Sequence, residues 1–141
     1  MAFIRKKGKT KTMWLPVTTS TAITTGYLVA FSSGYLIAAT STTAPSDIAG
    51  VLVKTIAATD SDYATARKVA VEVPIEKGVE WEASVTSGLA ATSVGAFYDL
   101  TNGGTVATTA STYDPVKCTK YISATKGWFE LNISADGIAG K

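Results

Sequence analysis

Two stretches of strict alternation constrain this chain more than anything else in it. In Lys68-Val69-Ala70-Val71-Glu72-Val73 the valines fall on one side, and Lys68 and Glu72 on the other. After Lys77-Gly78 the pattern resumes, with Val79, Trp81, Ala83 and Val85 set against Glu80, Glu82 and Ser84. A period of two is the signature of a strand with one buried and one wet face, and a helix cannot use it. The two runs with the glycine turn between them predict a β-hairpin. Trp128 to Ile133 repeats the pattern, with Phe129, Leu131 and Ile133 facing one way and Glu130 and Asn132 the other. Trp81 falls on the apolar side and reads as core; Trp128 falls on the opposite side from Phe129 and reads as exposed.

Turn signals punctuate the rest. They stand at Thr25-Gly26, Ser33-Gly34, Ala44-Pro45-Ser46-Asp47, Asp60-Ser61-Asp62, Ser87-Gly88, Asn102-Gly103-Gly104, Asp114-Pro115 and Lys126-Gly127. That rhythm belongs to short strands in a sandwich or barrel. Tyr27 to Phe31 and Tyr35 to Ala38 form a pair around Ser33-Gly34, and Ile48 to Ile56 lacks alternation, as a strand buried on both faces would. No window carries a sustained helical stripe; one short helix fits Ala90 to Val94. The expected fold is all-β: an antiparallel β-sandwich or barrel. A length of 141 residues suits one domain able to bury a core without metals or disulfides.

Charge is unevenly placed. Arg5, Lys6, Lys7, Lys9 and Lys11 put +5 into the first 11 residues, and the remaining eight basic and 11 acidic side chains leave the rest at −3. The segment has no clear apolar pattern before Met13, so it reads as an extended, flexible basic N-terminal arm, residues 1–12, ahead of a single β domain, residues 13–141. Met13, Trp14 and Leu15 follow at once, and Pro16 ends the apolar run, too short for a signal peptide. No stretch approaches the roughly 20 apolar residues of a membrane-spanning helix. Arg5, Lys6, Lys7, Lys9 and Lys11, with Met13, Trp14 and Leu15, are therefore the candidate partner-binding residues: charge to attract an acidic surface, apolar groups to anchor on it. A plain solvated tail and a contact to nucleic acid are the alternatives; the acidic body argues against nucleic acid.

Catalytic residues are scarce. The chain has no histidine, which removes Ser-His and Cys-His dyads and the commonest metal ligand. One cysteine, Cys118, excludes an internal disulfide and a Cys-based zinc site, and reads as a small buried residue. Asp60-Ser61-Asp62 lacks the further ligands and closing Glu of a calcium loop and reads as an Asx turn. Glu80 and Glu82 lie on a wet strand face, and Gly103-Gly104 leads into no phosphate loop. The expectation is a non-enzyme without cofactor or metal.

Several phrases together resemble a known family. They are Trp-Leu-Pro-Val-Thr from Trp14, Thr-Gly-Tyr-Leu-Val-Ala-Phe-Ser-Ser-Gly from Thr25, and Ile48-Ala49-Gly50-Val51-Leu52-Val53. Ala58-Thr59-Asp60-Ser61-Asp62-Tyr63, Val94-Gly95-Ala96-Phe97-Tyr98-Asp99-Leu100 and the run from Ile122 through Gly127-Trp128-Phe129 to Leu131 complete them. In this order they are similar to the small all-β capsid decoration (cement, head auxiliary) proteins of tailed bacteriophages, over most of residues 13–133. The resemblance implies a homo-oligomer, often a trimer, bound to the major capsid protein on the outside of the virion and present in the host cytoplasm during assembly. It implies no active site. A carbohydrate- or host-surface-binding β module and another virion structural protein, of tail or fibre, are the competing readings.

Overall fold

The computed structural model describes residues 3–132. Eleven strands follow in chain order: β1 (Ile4–Lys7), β2 (Thr10–Pro16), β3 (Leu28–Ser32), β4 (Tyr35–Ala38), β5 (Ile48–Leu52), β6 (Lys68–Pro74), β7 (Glu80–Val85), β8 (Phe97–Asn102), β9 (Thr105–Ala107), β10 (Val116–Ser123) and β11 (Lys126–Leu131). Helical structure among the described residues is limited to single 3-10 turns at Pro45–Asp47 and Ala91–Ser93. The second lies within the expected short helix.

The strands form two units. One is an antiparallel five-stranded sheet in the order β2-β6-β5-β3-β4. A parallel bridge between Val17 and Leu36 draws its outer strands toward each other. In the other, β7-β11-β10-β8-β9 closes into a five-stranded barrel because β9 also pairs with β7. That closing pair is parallel, Ser84 opposite Thr105 and Val85 opposite Val106. The all-β expectation therefore holds, but the barrel is mixed, not antiparallel. Closure brings together two strands whose direction was set elsewhere in the chain, and alternation within a strand carries no information about that direction.

Expected faces are borne out. Val69, Val71, Val73, Val79, Trp81, Ala83 and Val85 are all buried, and Trp81 has no exposed surface. Phe129 and Leu131 are buried; Trp128 is the exception, expected exposed but half-buried, with its indole nitrogen inaccessible and the Lys120 ammonium 4.4 Å from its ring centre. Ile133 lies outside the described residues. β5 is buried along its whole length. Ser33 and Gly34, both at positive φ, make the two-residue turn joining β3 to β4.

The expected hairpin of β6 and β7 does not form. These strands lie in different units: β6 pairs with β2 and β5, and β7 with β1, β11 and β9. The chain turns a corner between Ile75 and Val79, so the two apolar faces join one continuous core from different sheets.

The N-terminal segment makes the same corner beside it. β2 pairs with β6 from Thr10–Pro74 to Pro16–Lys68, and β1 pairs with β7, Ile4 opposite Glu82 and Arg5 opposite Trp81. Residues 4–16 thus form one antiparallel ribbon with residues 68–82, bent from one unit into the other. Gly8 sits at the bend with φ +95°, where a Cβ would come within 2.7 Å of the Val79 Cα. The Ile75 amide donates to the Lys9 carbonyl at 3.2 Å, and the Lys9 amide to the Glu76 carboxylate at 3.1 Å. Phe3 is buried, its amide bonded to the Gly26 carbonyl at 2.7 Å. The expected flexible arm, residues 1–12, and a domain boundary at residue 13 are corrected accordingly: from Phe3 onward the segment is part of the β structure. Its partner strands carry Glu72, Glu80 and Glu82, and the corner between them Glu76, so charges that repel one another in isolation meet carboxylates in the fold.

One buried acid shapes the barrel. Asp99 on β8 is 4% exposed. Its carboxylate accepts from the amides of Thr112, Tyr113 and Asp114 at 2.7–3.1 Å. These bonds anchor the loop before β10 and satisfy three backbone donors that would otherwise be stranded.

Candidate functional site

The eight candidate residues do not converge on one surface. In β1, Arg5 donates from Nε to Glu72 at 2.5 Å and Lys7 lies 3.6 Å from Glu80. Thr10 also donates to Glu72, at 2.7 Å. Lys6 falls where the β1–β7 register slips, a bulge that leaves it without a cross-strand partner. Lys6, Lys9 and Lys11 are exposed, and their ammonium groups pair with no carboxylate among the described residues.

Alternation along β2 splits the apolar triplet. Met13 stands opposite Val71 and Leu15 opposite Val69, and both pack on the core. They are not a free anchor, which corrects that expectation. Lys11 is opposite the buried Val73 and shares this side of the strand. Trp14 is on the other side, opposite Ala70, and 64% exposed.

Trp14 borders a groove of about 660 Å³ on the outer side of the five-stranded sheet. Ala70 lies beside it on β6, and Val53, just beyond β5, donates its amide to the Ala70 carbonyl at 3.1 Å. Trp14, Ala70 and Val53 therefore follow one another across the sheet: large, small, medium. Val53 is 49% exposed. Lys68 and the loop from Lys54 to Arg67 supply the polar lining.

That loop is held by an ion cluster. Arg67 bonds the Asp60 carboxylate at 2.7 Å through one nitrogen and the Asp62 carboxylate through another. Asp60 also accepts from the Ala57 amide at 3.1 Å. An Asx turn would bond the backbone two residues onward, so that reading of Asp60-Ser61-Asp62 is corrected: the loop is turned by backbone bonds from the Asp60 amide to the Ala57 carbonyl and from the Tyr63 amide to the Asp60 carbonyl. The Arg67 hydrogen bond, with help from the Ala57 amide, holds the Asp60 carboxyl below its ordinary range, and Asp60 raises Arg67 in turn. Both groups are charged at neutral pH, so this pair is not poised for proton transfer. Sequence reading identified the two aspartates and missed Arg67, which recurs seven residues after Asp60 with no local pattern to mark it.

Elsewhere, Cys118 is buried, and burial pushes its thiol pKa up, away from the reactive thiolate. Among the described residues no three His, Cys, Asp or Glu side chains gather as a metal set would, and no helix is long and apolar enough to cross a membrane. The chain matches no protein-family model and no curated protein sequence.

Proposed function

We propose that this protein is a virion structural protein that decorates the outside of a tailed-phage capsid and stabilises the shell by bridging major capsid subunits, as a homo-oligomer with a trimer favoured. The observation that carries the reading is the ribbon of β1 and β2, where Lys6 and Lys11 are offered from the strands on either side of the corner and Lys9 from the corner itself. A rigid cationic edge attracts an acidic capsid surface without losing the entropy that ordering a free tail would cost. The resemblance to decoration proteins supports the same reading. The mechanism is linkage: a protein that binds the assembled lattice and not its separate parts stabilises the lattice in proportion to its binding. Acting in the virion, it works at the capsid surface, with the host cytoplasm as the place of assembly.

The test is co-sedimentation with undecorated capsids at low and high salt, using the wild type and the Lys6→Gln/Lys9→Gln/Lys11→Gln variant. Exposed charge contacts are screened within about 8–10 Å at ordinary ionic strength. The variant is expected to keep its melting temperature, bind capsids more weakly, and show a flatter salt dependence. Equal binding at every salt concentration would remove the ribbon from the docking surface. Failure of the wild type to bind any capsid would remove the decoration reading itself.

A further inference from the structure

The lysines of the ribbon leave Trp14 unused, because Lys11 and Trp14 occupy opposite sides of β2. Neighbouring strands are spaced about 4.8 Å apart, which sets Trp14 and Val53 roughly 10 Å apart across Ala70. The result is a slot with an indole wall, a small-residue floor and an aliphatic wall. Its polar lining comes from Arg67, Asp60, Asp62, Ser61 and Lys54. Arg67 is fixed by both carboxylates, and the Asp62 side chain remains 54% exposed.

We propose that this slot is a carbohydrate-binding subsite that takes a neutral pyranose, with one sugar face stacked on Trp14 and its hydroxyls bonded to the Asp60–Arg67–Asp62 cluster. A pyranose presents an apolar C–H face and a rim of hydroxyls, each both donor and acceptor. The slot offers the matching pair of surfaces: an exposed indole, and beside it carboxylate acceptors and a guanidinium donor held by their mutual bonds, with the Ser61 hydroxyl on the lining. Charge does not call for an ionised ligand: Asp60 and Asp62 face Arg67, Lys54 and Lys68 in the lining, a net charge of only +1. Arg67 is already compensated by two carboxylates, and an anionic sugar would meet both of them. An apolar peptide segment would strip water from the exposed part of Asp62 and from Lys54 without replacing those hydrogen bonds. Such a site would let a capsid-bound protein hold cell-surface or extracellular glycans, independently of how it grips the shell.

The experiment uses the full chain alone, without capsids, so its outcome is separate from the decoration reading. Neutral oligosaccharides of glucose, galactose, mannose and N-acetylglucosamine, and one uronic-acid oligosaccharide, are titrated while the three indole N–H resonances are followed by NMR. The expected result is a saturable shift of the Trp14 resonance with at least one neutral sugar, while those of Trp81 and Trp128 stay in place. By calorimetry, Trp14→Ala should abolish this binding, Trp14→Tyr should retain part of it, and Asp62→Asn should weaken it about tenfold or more. Trp14→Ala should melt at the wild-type temperature, since the side chain is largely exposed. No saturable shift with any neutral sugar, binding of the uronic-acid probe alone, or sugar binding indifferent to Trp14→Ala would each overturn the proposal.

Discussion

Trp81 and Cys118 are both fully buried, and each carries a polar hydrogen into the core. Alternation put Trp81 in the core, and it is fully buried, but its indole N–H has no hydrogen-bond partner among the described residues. Trp81→Ala should cost about 3–5 kcal/mol through lost contacts and the cavity left behind. Trp81→Phe should cost clearly less, because it deletes the unpaired donor together with part of the ring. Denaturant midpoints of the three proteins check this ranking, and equal losses would show that the cavity left by the ring does not set the cost. Cys118 was expected to be small and buried, and burial raises its pKa. As pH rises through the ordinary thiol range, the unfolded chain releases this proton while the folded chain keeps it. The stability from the neutral thiol is therefore full below that range and declines as pH climbs toward the folded pKa. Wild type should lose stability more steeply between neutral and alkaline pH than Cys118→Ala, in denaturant melts run as a pH series. Parallel profiles would contradict the assignment. Asp99, by contrast, was visible only as a lone acid in Ala96-Phe97-Tyr98-Asp99-Leu100; its amide partners are 13 to 15 residues away, and nothing local announces them.

The bent ribbon of β1 and β2 turns its corner at Gly8. A side chain there would be strained at φ +95° and would collide with the Val79 backbone. Gly8→Ala should destabilise the protein by about 1–3 kcal/mol, measured by thermal or denaturant melts. An unchanged melt would mean that the segment does not turn there. The strands themselves were readable wherever one face is wet: β6, β7 and β11 declared their buried sides by alternation, and β3–β4 declared its turn by Ser33-Gly34. β1 and the start of β2 were not readable. Their residues are charged or polar because they lie at sheet edges, where one side of the strand remains in water. Arg5 and Lys7 also look like solvated tail residues until Glu72 and Glu80, more than 60 residues away, are placed beside them. The same distance hides the groove. Trp14 and Ala70, on neighbouring strands, and Val53, just beyond β5, are brought into a row only by the register, whereas in the sequence Trp14 is grouped with Met13 and Leu15 because they are consecutive.

At the scale of the whole molecule, a mixed five-stranded barrel and a five-stranded sheet share one core, and the N-terminal ribbon ties them together by pairing with both. This arrangement changes what the basic segment is for. A free arm would gain order only on its partner; a built-in ribbon holds Lys6, Lys9 and Lys11 in place beforehand and keeps Trp14 at the mouth of a groove. The carriers of the proposed docking and of the proposed sugar subsite therefore both depend on residues 4–16 being folded in the protein by itself. Amide hydrogen exchange on the isolated full chain measures that directly. The amides of β1 and β2 that face β7 and β6 are expected to exchange far more slowly than those of an unstructured peptide, with protection close to that of β6. Exchange of residues 4–16 at the rate of an unstructured peptide, with β6 and β7 still protected, would contradict the account and restore the segment as a free arm.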